Sequence, residues 1–506
     1  MSKPSRRPNR ETIKQQRKEK REAEKQLLAK QRAQGLDMQV KPSIKNGKSN
    51  YQTSDEEKTA RMTAVTEQQR IFQANLPILL KRLSKIPDPR NPKKIKYKLT
   101  LLMMYGVLIF VFQMASKREA NRKMTRPMFV ENLKLLFPEI EKLPHGDTLM
   151  RLLEKIDVCE IENAQLDLVH SLIRKKKFMR YLINGRYPIA IDGTQKFSRD
   201  YLWDEECLTR KVKKGDGEGR QYYVYVLEAS LAFHNGMTIP LMSEFLSYAE
   251  GDTDTNKQDC EIKAFKRLSK RLKSRFKRLP IMVLLDGLYP NGPVMSRCRD
   301  YKWDFMIVLQ DKSLRSVWEE YYGLQKILPE NRHQRTCKNR KQLFRWVNDI
   351  EYHYGKSKKQ TLHVVVCEET WQEVDKDTLE IIAKTSRHAW ISGKPLDSAN
   401  LHERCNLGAR HRWNIESEFL VEKRHGYQYE HCFSYDWNVM KGYHYLMRIG
   451  RTINVLAQYS ECLAQMFIEN GVRGFISFVR ETLTGPWMDI AWVKVRLNRP
   501  YQLRLL

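Results

Sequence analysis

The sequence predicts an α/β chain: a mixed sheet with flanking helices and a β-rich insertion, preceded by a helical domain and a basic tail. Three observations carry this expectation. Residues 61–183 repeat apolar positions at helical spacing, and at residue 187 the period shortens to that of strands. Beyond that point strands alternate with helices, and a second run of strands then postpones the last helices.

Taken in order, residues 1–60 are polar and rich in Lys, Arg, Gln and Glu, with almost no apolar periodicity, so they read as a basic tail, at most partly helical and disordered when alone. From 61 to 183 the pattern is helical, with Ile71, Leu76, Leu79, Leu80 and Leu83 on one stripe that the Pro-rich segment 86–94 interrupts. The uncharged run 99–115, flanked by Lys96, Lys98, Lys117 and Arg118, is at the short edge of what spans a bilayer and contains Thr100, Gly106 and Gln113. It is expected to be a buried core helix. Shorter helices follow at 147–156 and 161–176. This basic, helical region is the candidate for reading DNA ends, although no clear helix-turn-helix stands out within it.

Residues 187–192 (YPIAID) read as a short strand. The aromatic and β-branched run 221–233 and the stretch 236–247 read as a hairpin around His234-Asn235-Gly236. Phe265, Leu268, Leu272 and Phe276 then fall at helical spacing, 281–286 (IMVLLD) is a buried-strand run, 292–301 a helix and 304–310 a strand. Residues 184–314 thus form the first part of a core in the order β-β-β-α-β-α-β. Residues 315–395, with strand-like segments at 361–367 and 378–383, look inserted. Helices resume in 396–467, and 468–506 is a C-terminal segment with dimerisation as its candidate role.

Composition narrows the function. The chain has 506 residues, enough for at least two folded domains, and 91 Lys and Arg against 60 Asp and Glu give a net charge of +31. Such an excess is commonly matched by a polyanion, with nucleic acid the first candidate and an anionic membrane the second. The N-terminus is too charged for a secretory signal. The 9 cysteines form no C-x-x-C pair and read as the reduced thiols of a cytosolic protein.

Three acids stand out by position. Asp192 ends the first strand in IDGT and Asp286 ends the central strand in LLDGLY, each followed by Gly, where open α/β sheets gather their chemistry. A strand-end Asp-Gly is more often just a turn. The third acid, Glu416, lies on the helix RHRWNIESEFLVEK, where Arg412, Glu416 and Lys423 share one face while Glu418 points away. Trp413, Ile415 and Phe419 are expected to supply its buried flank. Carboxylates that converge can hold two Mg²⁺ ions, one activating the attacking oxygen and one stabilising the leaving oxygen of a phosphodiester. Lys257-Gln258-Asp259-Cys260-Glu261 reads as a helix cap, with a fourth acidic contribution as the alternative. His411, His425, His431 and Cys432 fit no zinc spacing.

Over roughly residues 187–450 the chain resembles the DDE transposases of bacterial insertion sequences, in the IS-four-like branch whose last acid lies in a Tyr-x2-Arg-x3-Glu-x6-Lys signature. The resemblance implies a ribonuclease-H-like core with a β-rich insertion before the helix that bears the Glu. It also implies Asp192, Asp286 and Glu416 as the catalytic, metal-binding triad for two Mg²⁺ ions, with Mn²⁺ as a substitute. Arg412 and Lys423 take the signature's phosphate-gripping positions, while Ala409 stands where the family has its Tyr. Trp390 lies where a family Trp can stack on a base flipped from the duplex end, and a core Trp is the alternative reading.

The implied activity is cleavage and strand transfer at the ends of a mobile element. The implied partners are double-stranded DNA (terminal inverted repeats and target) and a second copy of the chain in the DNA complex, with no membrane and no small-molecule cofactor. The alternatives are a ribonuclease-H-like nuclease that only hydrolyses, or an inactive, domesticated DNA-binding protein.

Overall fold

The computed structural model describes residues 9–36, 44, 47–138, 140, 142–214, 217–247, 260–375 and 377–506. Of the capping segment considered above, residues 257–259 lie outside the described residues.

Among the described residues, the α-helices that come first are α1 (Arg10–Ala33), α2 (Ser54–Leu83), α3 (Leu99–Val111), α4 (Lys117–Lys123), α5 (Pro127–Leu136), α6 (Gly146–Leu153) and α7 (Cys159–Arg174). Then come β1 (Tyr187–Arg199), β2 (Leu208–Lys214), β3 (Gly217–Ala232), β4 (Thr238–Phe245), α8 (Glu261–Arg275), β5 (Ile281–Leu285), α9 (Gly292–Asp300) and β6 (Asp304–Val308). After α10 (Arg315–Ile327) follow β7 (Arg332–Cys337), β8 (Arg340–Tyr354), β9 (Lys358–Val374) and β10 (Ile381–Ser392). The chain closes with α11 (Asn414–Arg424), α12 (Trp437–Gln458), α13 (Ala464–Thr484) and α14 (Ile490–Leu497). The expected architecture is the one observed. Most strands are antiparallel in a mixed sheet, helices flank it, and a helical region precedes it, consistent with a ribonuclease-H-like arrangement.

These elements group into two compact units, one of Ser43–Leu284 with Arg410–Leu506, the other containing α1 and Leu285–Ala409.

In the first unit β3 is antiparallel to β1, β2 and β4, and β1 runs parallel to β5 from Tyr187↔Ile281 to Ala190↔Leu284. The hairpin between β3 and β4 closes because Gly236 takes φ +90° and Asn235 Oδ1 accepts from the Met237 amide at 3.1 Å. Every residue of β5 is buried, as suits a strand covered on both faces. β1 differs from its expectation. It does not end at Asp192 but continues to Arg199, paired with β3 after its parallel register with β5 stops at Ala190. β2, rich in Lys and Arg, carries no apolar alternation that would have revealed it.

The apolar run forms α3, with Leu102 to Val111 all buried. A helix that is apolar all round belongs inside a core, where each large side chain contributes roughly 1.5–3 kcal/mol. It packs on α12 through glycines. A Cβ on Gly106 would come 2.6 Å from Leu446 Cδ1, and one on Gly450 would come 2.8 Å from Phe110 Cβ. Among the described residues no helix is long and apolar enough to cross a membrane.

In the second unit β6 is antiparallel to β10, and β10, β9, β8 and β7 follow as antiparallel neighbours. Its helix α10 opens the stretch that was read as a β-rich insertion. Trp318 and Tyr321 are buried one helical turn apart, a spacing hidden by the aromatic, strand-like composition of that stretch. Within the segment read as a basic tail, at most partly helical, residues 10–33 form α1. Asn9 caps it by accepting from the Thr12 amide at 2.8 Å, and its buried Leu27 and Gln31 face β9, where Gln31 Nε2 donates to the Gln372 carbonyl at 3.4 Å.

Candidate active site

Asp192 sits two residues beyond the last pair that β1 makes with β5 and is still paired with Glu228 of β3, so at this point only the β5 side of the strand is unpaired. Its Oδ1 accepts from the Gly193 amide at 2.9 Å, and its Oδ2 accepts from Arg412 Nη1 at 3.3 Å. Arg412 Nη2 donates to Glu416 Oε1 at 2.8 Å. One guanidinium therefore joins a strand acid to a helix acid more than two hundred residues away in the chain. The Arg412 side chain is only 5% exposed and that of Glu416 is 36% exposed, so the pair opens to solvent at the helix end. Gly193 has no room for a side chain. A Cβ there would lie 2.5 Å from Tyr225 Cε1 and 2.8 Å from Glu261 Oε1. Glu261 itself accepts from the Tyr225 hydroxyl at 2.6 Å, which brings the acid weighed above as part of a cap against the residue next to Asp192.

The phase of α11 explains which acid faces outward. Glu418 is buried and takes two hydrogen bonds from Arg451, at 2.6 and 2.8 Å, and Glu422 takes two from Arg448, at 2.7 and 2.9 Å. These pairs fasten α11 to α12, with Ile415 and Phe419 buried beside them. Arg448 and His444 in turn reach Glu228 of β3, at 3.4 and 3.2 Å, and Glu228 is the register partner of Asp192. Burial alone would raise the Glu228 carboxyl, but Arg448 and His444 more than offset it and bring it down to about 2. Burial holds the His444 imidazole down at about 4. Buried ion pairs of this kind fix geometry more reliably than they add stability. Of their members only Glu418 is named from the sequence, as the acid facing away from Glu416, because the others look like ordinary charges on a strand or helix.

The remaining expected residues fall as follows. Asp286 is half-buried directly after β5 and starts a turn, its Oδ1 accepting from the Leu288 amide at 2.9 Å. It belongs to the second unit. The association that the structure displays is thus that of Asp192 with Glu416. Lys423 pairs with Glu430 at 3.1 Å. Trp390 is buried in β10 with its ring parallel to His388 at 5.7 Å, the core placement given above as the alternative. Trp413 is 60% exposed rather than buried. It follows Arg412, whose guanidinium lies over its ring at 4.6 Å, and this cation–π contact replaces the expected flank packing.

Asp192 and Glu416 offer hard carboxylate oxygens, the donors that Mg²⁺ and Mn²⁺ take, so the donor chemistry fits such an ion. Among the described residues no group of three or more His, Cys, Asp or Glu side chains is gathered as a metal site. Between these two carboxylates the positive charge is that of Arg412.

A search of curated proteins finds no match for the chain. Residues 80–169, from the end of α2 into α7, match a family model described as DDE_Tnp_1-associated. That domain is found in DDE transposases, and the match associates the chain with transposase-like proteins.

Proposed function

We propose that the chain is a DDE transposase that cuts DNA at the ends of an insertion sequence and joins the freed ends to a target. The observation that carries this reading is the Asp192–Arg412–Glu416 bridge, because it unites a strand acid and a helix acid of the arrangement that such chemistry requires. The transposase-associated segment at 80–169 supports the same reading independently. Asp286 completes the proposed triad, on the strength of its place after β5, whose Leu284 pairs with Ala190 of β1.

Asp192, Asp286 and Glu416 would hold two Mg²⁺ ions, or Mn²⁺ in their place, supplying activation of water and charge stabilisation at the phosphorus. Water oxygen then bonds to phosphorus while the bond to the bridging 3′ oxygen breaks, leaving a 3′-OH and a 5′-phosphate. That 3′-OH attacks a second phosphodiester in the same way. Arg412 and Lys423 hold phosphates close to the acids, exchanging their present carboxylate partners for DNA oxygens. Trp390, buried in β10, fits the interior of the second unit better than a base-stacking role. The DNA partners are terminal inverted repeats and target duplex, engaged by two copies of the chain.

Purified Asp192→Ala, Asp286→Ala and Glu416→Ala variants, incubated with duplex carrying the element's ends and Mg²⁺, should bind the DNA and form neither nicks nor joined products. Full cleavage by any one of them removes that residue from the proposed triad. Nicks without joining in the parent protein would favour a nuclease, and binding without nicks a domesticated DNA-binding protein.

A further inference from the structure

Within the first unit, α2 and α7 run out side by side and leave an open groove of about 670 Å³. Its walls carry Lys81, Arg82, Lys85, His170, Arg174 and Lys175, against a single acid, Asp167. Asp167 is already offset twice, by Arg82 at 3.1 Å and by Arg275 of α8. Arg82 also lies 3.6 Å from Glu160. Lys81, Lys85, Arg174 and Lys175 are exposed and have no acidic partner within 4.0 Å among the described residues.

Cations at helix C-termini commonly do no more than complement the helix dipole. Here they exceed that need. Lys85 and Lys175 lie beyond their helices, and the cations act on one another. Burial, then Arg275 and Arg174, hold the His170 imidazole below its ordinary value, and burial, then Lys175 and Arg504, hold the Lys177 ammonium below its own. A concave surface with unneutralised like charges focuses a positive field.

The groove suits an extended anion rather than a small one. The helix ends that frame it are C-termini, which present carbonyls and no free amide donors to a single phosphate, and the cations are spread over two helices instead of converging on a point. We propose that this groove is a second DNA contact, built from residues other than those of the acidic site, which holds the sugar–phosphate backbone of a duplex without reading its bases. The proposal rests on the reading of the chain as a DNA enzyme, since that reading names DNA as the polyanion.

The test uses the full chain and two fluorescent duplexes of equal length, one of the element's end and one scrambled, titrated over a range of salt. A Lys81→Glu, Arg174→Glu, Lys175→Glu variant, checked for an unchanged melting profile, should lose roughly tenfold or more in affinity for both duplexes alike. Its slope of log affinity against log salt should become shallower by about 0.9 for each phosphate contact removed. The corresponding Gln variant separates lost attraction from added repulsion by showing a smaller loss of the same form.

His170 gives a second readout. It faces Arg174 and Asp167 on α7, Lys81, Arg82 and Lys85 from α2, and Arg275 and Phe276 from α8 and its end. A phosphate placed there favours the charged imidazole, so binding takes up a proton and tightens as pH falls through the range in which this imidazole titrates, and His170→Gln flattens that dependence. An unchanged salt slope in the triple variant overturns the proposal, as does a loss confined to the element-end duplex. Should the parent protein bind duplex yet never cut it, the transposase reading fails while the groove stands. Should it cut normally and the variant keep its slope, only the groove fails.

Discussion

At the scale of single residues, the contrast between Glu416 and Glu418 is the sharpest statement the structure makes. Two positions apart on α11, Glu416 is half-buried beside a buried Arg412 that also holds Asp192, whereas Glu418 is sealed against Arg451. Substituting Glu418 with Ala leaves a buried guanidinium unpaired and should cost about 3–5 kcal/mol in urea unfolding. Glu416→Ala leaves Arg412 paired with Asp192, so it should cost clearly less in unfolding than Glu418→Ala while abolishing cleavage. Equal losses of stability in the two variants would contradict the assignment. Helical phase made this distinction readable from sequence, because residues two apart on a helix cannot share a face. The exposure of Trp413 was not readable, since it depends on a guanidinium lying over the ring rather than on periodicity.

At the scale of elements, α11 is held by α12 and α12 by β3, through charges that the interior has taken out of water. His444 is the member to probe. It takes a proton near 6.5 when unfolded but only at about 4 when folded, so the unfolded chain binds more protons between those values. Its contribution is therefore present above about 6.5 and is lost as pH falls towards 4. His444→Gln, which keeps a donor towards Ser243 and Glu228, should narrow the stability gap to the parent by roughly 2–3 kcal/mol between pH 7.5 and pH 4.5. Paired denaturant titrations measure it, and a gap that stays constant over that range sinks the account. Such a network leaves no pattern in a sequence, because its members come from strands and helices far apart in the chain. What the sequence carries well is period. The buried run of β5, the Asn-Gly hairpin and the apolar α3 each follow from local rules, whereas β2 and α10 hide behind charge and aromatic composition.

At the scale of the molecule, the order of elements was legible because strand and helix periods alternate along most of the chain. The length of β1 was not, since the segment after Asp192 reads as polar and is kept extended by β3 alone. Of the proposed triad, Asp192 and Glu416 are held together by Arg412, and the central claim is that Asp286 joins them in holding divalent ions. The most direct test replaces the ions with Fe²⁺ and generates hydroxyl radicals with ascorbate, so that the backbone is cut wherever a bound ion lies close. The account predicts cuts near Asp192, Asp286 and Glu416 together, all suppressed by excess Mg²⁺. Cuts near only one of the three, or cuts that Mg²⁺ leaves untouched, would contradict it.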